Sequence, residues 1–138
     1  MKKLKNTINK TSEKTLLSYA KVAIKNSHAP YTGFISGAAL QGTDGVIYTG
    51  CYIENKDPAA CICAECAALA KAVSRGCIAF QAIAVAAGRG GISIPCSICR
   101  KALSEFSRDL TVIMEDEAGN LIIRKLSELM PGTFCLKL

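Results

Sequence analysis

The chain has 138 residues, half of them apolar, eight cysteines and a formal net charge of +6. Those figures bound one globular domain with a sizeable core and exclude a disordered chain. No apolar run reaches the roughly eighteen residues of a membrane span, and the lysines within 20–25 exclude a signal peptide, so the cytoplasm is the expected setting.

The early lysines, Lys2, Lys3, Lys5, Lys10 and Lys14, mark residues 1–11 as a flexible basic leader, a solvated segment before a folded domain at 12–138. Thr11 or Ser12 can cap a helix whose apolar face is Leu16, Leu17, Ala20, Ala23 and Ile24, stopping before Pro30. Residues 34–40 and 46–53 read as strands joined by the hairpin turn Gly42-Thr43-Asp44-Gly45. Pro58 makes 54–60 a loop. Residues 62–74 have helical composition, with Gly76 as the stop. The unbroken apolar run 80–87 predicts a buried central strand. The glycine-rich stretch Gly88-Arg89-Gly90-Gly91 lacks the Gly-Lys-Ser/Thr ending of a phosphate loop. Pro95 stands where helices begin, so 96–106 should be helical. Strands at 110–114 and 121–124 are too closely connected for a helical crossover and should pair antiparallel. A last turn, 127–130, ends at Pro131-Gly132.

The chemistry-bearing residues fall at the starts of two of these helices. Without a secretion signal, the cysteines suit metal ligation and small buried thiols better than disulfides. Cys63, Cys96 and Cys99 supply three soft ligands, which leaves a zinc ion an open fourth position for water. Glu65, two residues past Cys63 in the same first helical turn, is placed to act as an acid/base without binding the metal. Unpaired N–H groups and the macrodipole at a helix N-terminus favour thiolate over thiol. The same residues also form two Cys-x-x-Cys pairs, Cys63/Cys66 and Cys96/Cys99, which could close a structural four-cysteine site. The long interval 67–95 and the helix-forming flank after Cys66 weigh against that reading without excluding it.

Taken together, these pieces resemble the homotetrameric cytidine deaminase family, over most of the chain. They occur in the family's order: Ala29-Pro30-Tyr31-Thr32-Gly33-Phe34, Gly37-Ala38-Ala39-Leu40, Gly50-Cys51-Tyr52-Ile53-Glu54-Asn55, Cys63-Ala64-Glu65, Pro95-Cys96-Ser97-Ile98-Cys99-Arg100 and Leu129-Met130-Pro131-Gly132-Thr133-Phe134. The Pro-Cys-x-x-Cys and the non-ligating Glu are shared by the zinc nucleobase deaminases at large. The resemblance implies a three-layer α/β/α fold with a five-stranded mixed sheet, its last two strands antiparallel, and one Zn²⁺ per subunit. It implies Cys63, Cys96 and Cys99 as metal ligands and Glu65 as the catalytic acid/base. The Ala64 backbone and Phe34 would meet the base, and Tyr52 and Glu54 would stand at the ribose. Phe134 would be lent to a neighbour's pocket in a homotetramer with inter-subunit active sites.

Three departures from the family pattern bear on function. Tyr52 stands where the family has Asn, and Lys56, Asp57 and Pro58 rewrite the loop that reaches toward the sugar. Cys66 stands where the family commonly has an Arg that offsets thiolate charge, and Arg100 is the nearest candidate in sequence to compensate. The expected activity is hydrolytic deamination of cytidine, deoxycytidine or a modified cytosine nucleoside to its uracil counterpart, as in pyrimidine salvage. The alternatives are a deaminase of a cytosine-bearing antibiotic of the blasticidin S type and a non-catalytic zinc-stapled domain holding RNA. Nothing interleaves aromatic and basic residues into a single-strand track, so nucleic acid is not an expected substrate.

Overall fold

Ser12 starts the first helix: its hydroxyl accepts the Thr15 amide at 3.2 Å, and α1 runs Glu13–Ala23. Thr11, the other expected cap, instead accepts a hydrogen bond at 2.8 Å from the buried Gln41 side chain. The computed structural model describes residues 11–88 and 93–130. The lysine-rich leader through Lys10, Arg89 to Gly91 of the glycine-rich stretch, the Pro131-Gly132 ending and Phe134 lie outside them.

Five strands follow: β1 (Ser36–Gly42), β2 (Ile47–Cys51), β3 (Phe80–Ala87), β4 (Thr111–Glu115) and β5 (Leu121–Lys125). They form one mixed sheet in the order β2-β1-β3-β4-β5. β1 runs antiparallel to both β2 and β3, β3 and β4 are parallel, and β5 returns antiparallel to β4 as its short connection requires. Two further helices, α2 (Ala64–Ser74) and α3 (Ser97–Ser104), follow β2 and β3.

Side chains alternate between the faces of the central strands, and both faces are buried. On one side Ala39, Ala82, Ala84 and Ile113 pack against Leu16, Leu17 and Ala20 of α1. On the other, Leu40, Ile83, Val85, Val112 and Met114 meet Ala64, Ala68 and Ala72 of α2 and Leu103 of α3. The result is the expected three-layer α/β/α sandwich. Gly50 lets α2 lie directly on β2, because a Cβ there would stand 2.3 Å from the Ala64 carbonyl oxygen and 2.5 Å from the Ala68 nitrogen. That close approach fixes the helix that begins at Cys63. Among the described residues, no helix is long and apolar enough to cross a membrane.

Two element ends differ from the sequence expectation, and both matter at the site. β1 starts at Ser36 and leaves Phe34 in the preceding loop. β2 ends at Cys51, while Ile53 makes isolated bridges to His28 and Ile62. Apolar residues run past both ends, but segments 28–34 and 52–54 hydrogen-bond to each other there instead of extending the sheet.

Candidate metal and active site

Both thiol-bearing helices begin on a cysteine. Cys63 is the N-cap of α2, and Cys96 is the N-cap of α3, its sulfur accepting the Cys99 amide at 3.5 Å. Because β2 and β3 deliver these helices to the same end of the sheet, their N-termini meet. Cys63 Sγ lies 3.6 Å from Cys96 Sγ, and Cys96 Sγ lies 3.4 Å from Cys99 Sγ. All three sulfurs fall within 4.8 Å of one another.

Tetrahedral zinc with sulfur at about 2.3 Å separates its ligands by about 3.8 Å, so this donor set fits one zinc ion in size and in chemistry. Cys99 is buried, Cys63 partly buried and Cys96 exposed, which opens the cluster on one side. The thiols also share protons unequally. Hydrogen bonds from Cys99 and then Cys96 lower Cys63 to about 6, against the opposing pull of burial. Cys99 is pushed up by its bonds to Cys63 and Cys66 and by burial. One sulfur of the set is therefore ready to ionise at neutral pH.

Glu65 sits in the first turn of α2 at 5% exposure. Burial, reinforced by the charge of Cys63, raises its carboxyl to about 7, against the opposing effects of its own backbone amide and the Cys99 thiol. A carboxyl group that titrates near neutrality can both take and give a proton at working pH. Cys66 comes within 3.4 Å of Cys99 Sγ but is not part of the cluster in which all sulfurs neighbour one another, so it does not complete a four-sulfur set. The Arg100 guanidinium is directed elsewhere: Nη1 donates to the Leu129 carbonyl, and Nε is buried with no partner among the described residues. The positive charge expected to offset Cys66 is thus turned toward the 126–129 turn, because α3 packs its second turn against it.

The other expected residues lie on α2 and on the loops before β1 and after β2. Ala64 is fully buried directly after Cys63. Phe34 is 54% exposed, and its ring stands edge-to-face with Tyr52 at 5.2 Å and 81°. The Tyr52 phenol is raised to about 12, first by its hydrogen bond to Cys61 and then by burial. Glu54 is buried, with its carboxyl held below the usual range, first by the Thr32 hydroxyl. Tyr31, Thr32, Tyr52, Glu54, Lys56 and Pro58 line a cavity of about 430 Å³ in which Lys56 Nζ lies 6.0 Å over the Tyr31 ring. Thr32 and Cys61 were not singled out from the sequence. A Thr two residues before an aromatic is a local side-chain-to-backbone motif that could have flagged Thr32; nothing in the sequence flagged Cys61.

Residues 10–115 match the family model for the cytidine and deoxycytidylate deaminase zinc-binding region. The chain belongs to this family. It is similar to the cytidine deaminase of Sporosarcina psychrophila, 38% identical over 120 residues that cover 86% of this chain and 88% of that protein. The cytidine deaminase of Mycobacterium tuberculosis H37Rv is 32% identical over 83% of each. Among solved structures, a Burkholderia pseudomallei cytidine deaminase superposes with a TM-score of 0.84 at 34% identity, over 90% of this chain and all of that one. As a member of the cytidine and deoxycytidylate deaminase family, the chain carries a zinc-binding deaminase domain, and its Cys63, Cys96 and Cys99 cluster is able to hold the metal.

Proposed function

We propose that this chain is a zinc-dependent hydrolase in which Cys63, Cys96 and Cys99 hold the metal and Glu65 moves the protons of cytosine deamination. The observation that carries the assignment is a buried carboxyl in the first turn of α2, beside three sulfurs spaced for one zinc. When bound, zinc is a Lewis acid that brings a water's pKa to about 7. Glu65 accepts the proton of the water that attacks C4 of the base. It passes that proton to ring N3, where it stays, and then carries the second proton, from the new C4 hydroxyl, to the exocyclic amine, which departs as ammonia. Water and a cytosine nucleoside become ammonia and the uracil counterpart. The Ala64 backbone and the half-exposed Phe34 ring are assigned to the base, and Tyr52 and Glu54 to the sugar end. Phe134, outside the described residues, is assigned to a neighbour's pocket.

A tyrosine ring against Phe34, and Lys56 and Pro58 beside the cavity, suit a cytosine nucleoside whose sugar is held differently from that of cytidine. The test incubates zinc-loaded protein with cytidine, deoxycytidine, sugar-modified cytosine nucleosides and blasticidin S. Amine loss is followed by ultraviolet absorbance. Turnover of at least one is expected, and no turnover of any would remove the enzyme reading.

Exposed apolar side chains near these segments, Phe34, Ile53, Ile62 and Ile98, suit a subunit interface and support a homotetramer that completes each pocket. Sedimentation measures it. Free thiols at seven described cysteines suit a reducing compartment, hence the cytoplasm. Residues 1–11 are read as a basic leader to a catalytic domain at 12–138.

A further inference from the structure

Cys66 stands beside the metal cluster without belonging to it. Its sulfur lies 3.4 Å from Cys99 Sγ, yet the set of mutually close sulfurs is Cys63, Cys96 and Cys99. The other described thiols outside that set turn to backbone: Cys51 to the Asn26 carbonyl at 3.4 Å, Cys61 to the Asn55 carbonyl at 3.6 Å and Cys77 to the Ala79 carbonyl at 3.5 Å. Among the described residues, Cys66 is thus the spare thiol in contact with a ligand sulfur.

Access and reach both favour this pair. Cys99 is fully buried, so it offers a solvent-borne oxidant no surface of its own, whereas Cys66 beside it is partly open. Both residues lie in the first turn of their helices, α2 and α3, whose N-termini already meet. A tetrahedral zinc holds its sulfur ligands about 3.8 Å apart and draws on their electron pairs, which keeps Cys63, Cys96 and Cys99 from joining one another. Nothing of that kind restrains Cys66. A disulfide needs the two sulfurs only about 1.4 Å closer, a movement that side-chain rotation supplies without shifting either helix.

We propose that Cys66 is an oxidative modification site: a hydroperoxide joins it to Cys99 as a disulfide and so takes one of the three sulfurs from the zinc. With hydrogen peroxide, one O–O bond breaks and one S–S bond forms. Two electrons pass from the sulfurs to the peroxide; the Cys66 thiol proton leaves on one oxygen as water, and the other oxygen leaves as hydroxide. The centre is left with two sulfurs, too few to retain the metal. A thiol reductant returns the two electrons and reverses the step. The proposal rests on the reading of Cys63, Cys96 and Cys99 as zinc ligands.

The experiment treats zinc-loaded protein with equimolar hydrogen peroxide, following zinc with a chromophoric chelator and the thiols by peptide mass mapping. Wild type should release its zinc in step with a cross-link between Cys66 and Cys99. Dithiothreitol followed by zinc should restore one metal per chain. Cys66→Ser and Cys66→Ala keep the three ligands and should each hold zinc. Both should slow its release by peroxide at least about tenfold, because the sulfurs left at the centre are all metal-bound. Release at the wild-type rate from either variant would overturn the proposal. So would a cross-link mapping to Cys63–Cys96 or Cys96–Cys99, or Cys66 carried on to sulfinic acid with Cys99 still free. If wild type binds no zinc while Cys66 and Cys99 still join, the metal reading fails and the thiol pairing stands. Neither readout uses turnover, so failure of the deaminase reading shows separately, in the nucleoside assay.

Discussion

Replacing Glu65 by glutamine keeps the side chain's size and removes its charge and its proton. Activity and stability should then move in opposite directions. Burial lifts the Glu65 carboxyl from its ordinary 4.5 to about 7, a difference equivalent to about 3 kcal/mol. Below pH 4.5 the group is protonated in both the folded and unfolded chains and contributes nothing to a difference between them. As pH rises from 4.5 to about 7, the unfolded chain ionises while the folded chain holds its proton, and folding loses stability. Above pH 7 the loss is complete. Zinc-stripped Glu65→Gln should therefore match wild type near pH 4 and exceed it by up to about 3 kcal/mol at pH 8.5. With a urea slope of about 2 kcal/mol/M, that moves the midpoint by about 1.5 M. The zinc-loaded pair should shift in the same direction by less, because the ion's charge relieves part of the carboxylate's burial penalty. At the same time kcat should fall about 10²- to 10⁴-fold, the usual effect of losing a general acid/base, while zinc content stays at one per chain. A variant that is less stable than wild type at pH 8.5, or one that keeps ordinary turnover, would refute the reasoning.

Cys96→Ala should lose the metal and several kcal/mol of stability, because metal binding is coupled to folding, whereas Cys66→Ser should keep one zinc per chain by elemental analysis. Loss of zinc from Cys66→Ser would put that sulfur in the ligand set. Gly50→Ala should cost more than about 2 kcal/mol in urea titration and weaken zinc binding, since the new Cβ meets backbone atoms at the start of α2 and not a flexible side chain. A neutral effect would mean that α2 can shift without disturbing Cys63. Tyr52→Asn should lower KM for cytidine if the Tyr52 ring against Phe34 is what restricts the sugar; unchanged kinetics would move the restriction to Lys56, Asp57 and Pro58.

Much of this molecule is legible locally. Residues 80–87 form a buried strand because a run of small and branched apolar residues suits a sheet covered on both faces. The antiparallel pair β4–β5 follows from a connection too short to cross over, and Asp116 closes it by accepting the Ala118 and Asn120 amides at 2.9 and 2.8 Å. The helix starts at Cys63 and Cys96 were readable to within about a residue, the first from the helix-forming composition of 62–74 and the second from Pro95. These features depend on residues within a turn or two of each other, and sequence order therefore carries them.

Contacts between distant segments could not be read in that way. Cys63, Cys66, Cys96 and Cys99 have equivalent spacings on paper, and only the meeting of two helix N-termini separates the three-sulfur cluster from Cys66. Arg100 faces Leu129 because α3 turns that side toward the 126–129 segment. Residues 34–40 read as one strand, yet Glu54, about twenty residues downstream, holds the loop before β1 through the Tyr31 and Thr32 amides. A buried carboxylate has to find donors wherever the fold brings them. The sequence alone determined which residues could ligate, cap and pack; tertiary structure decided which of them meet, because satisfying buried polar groups is a condition on the whole fold rather than on any one segment.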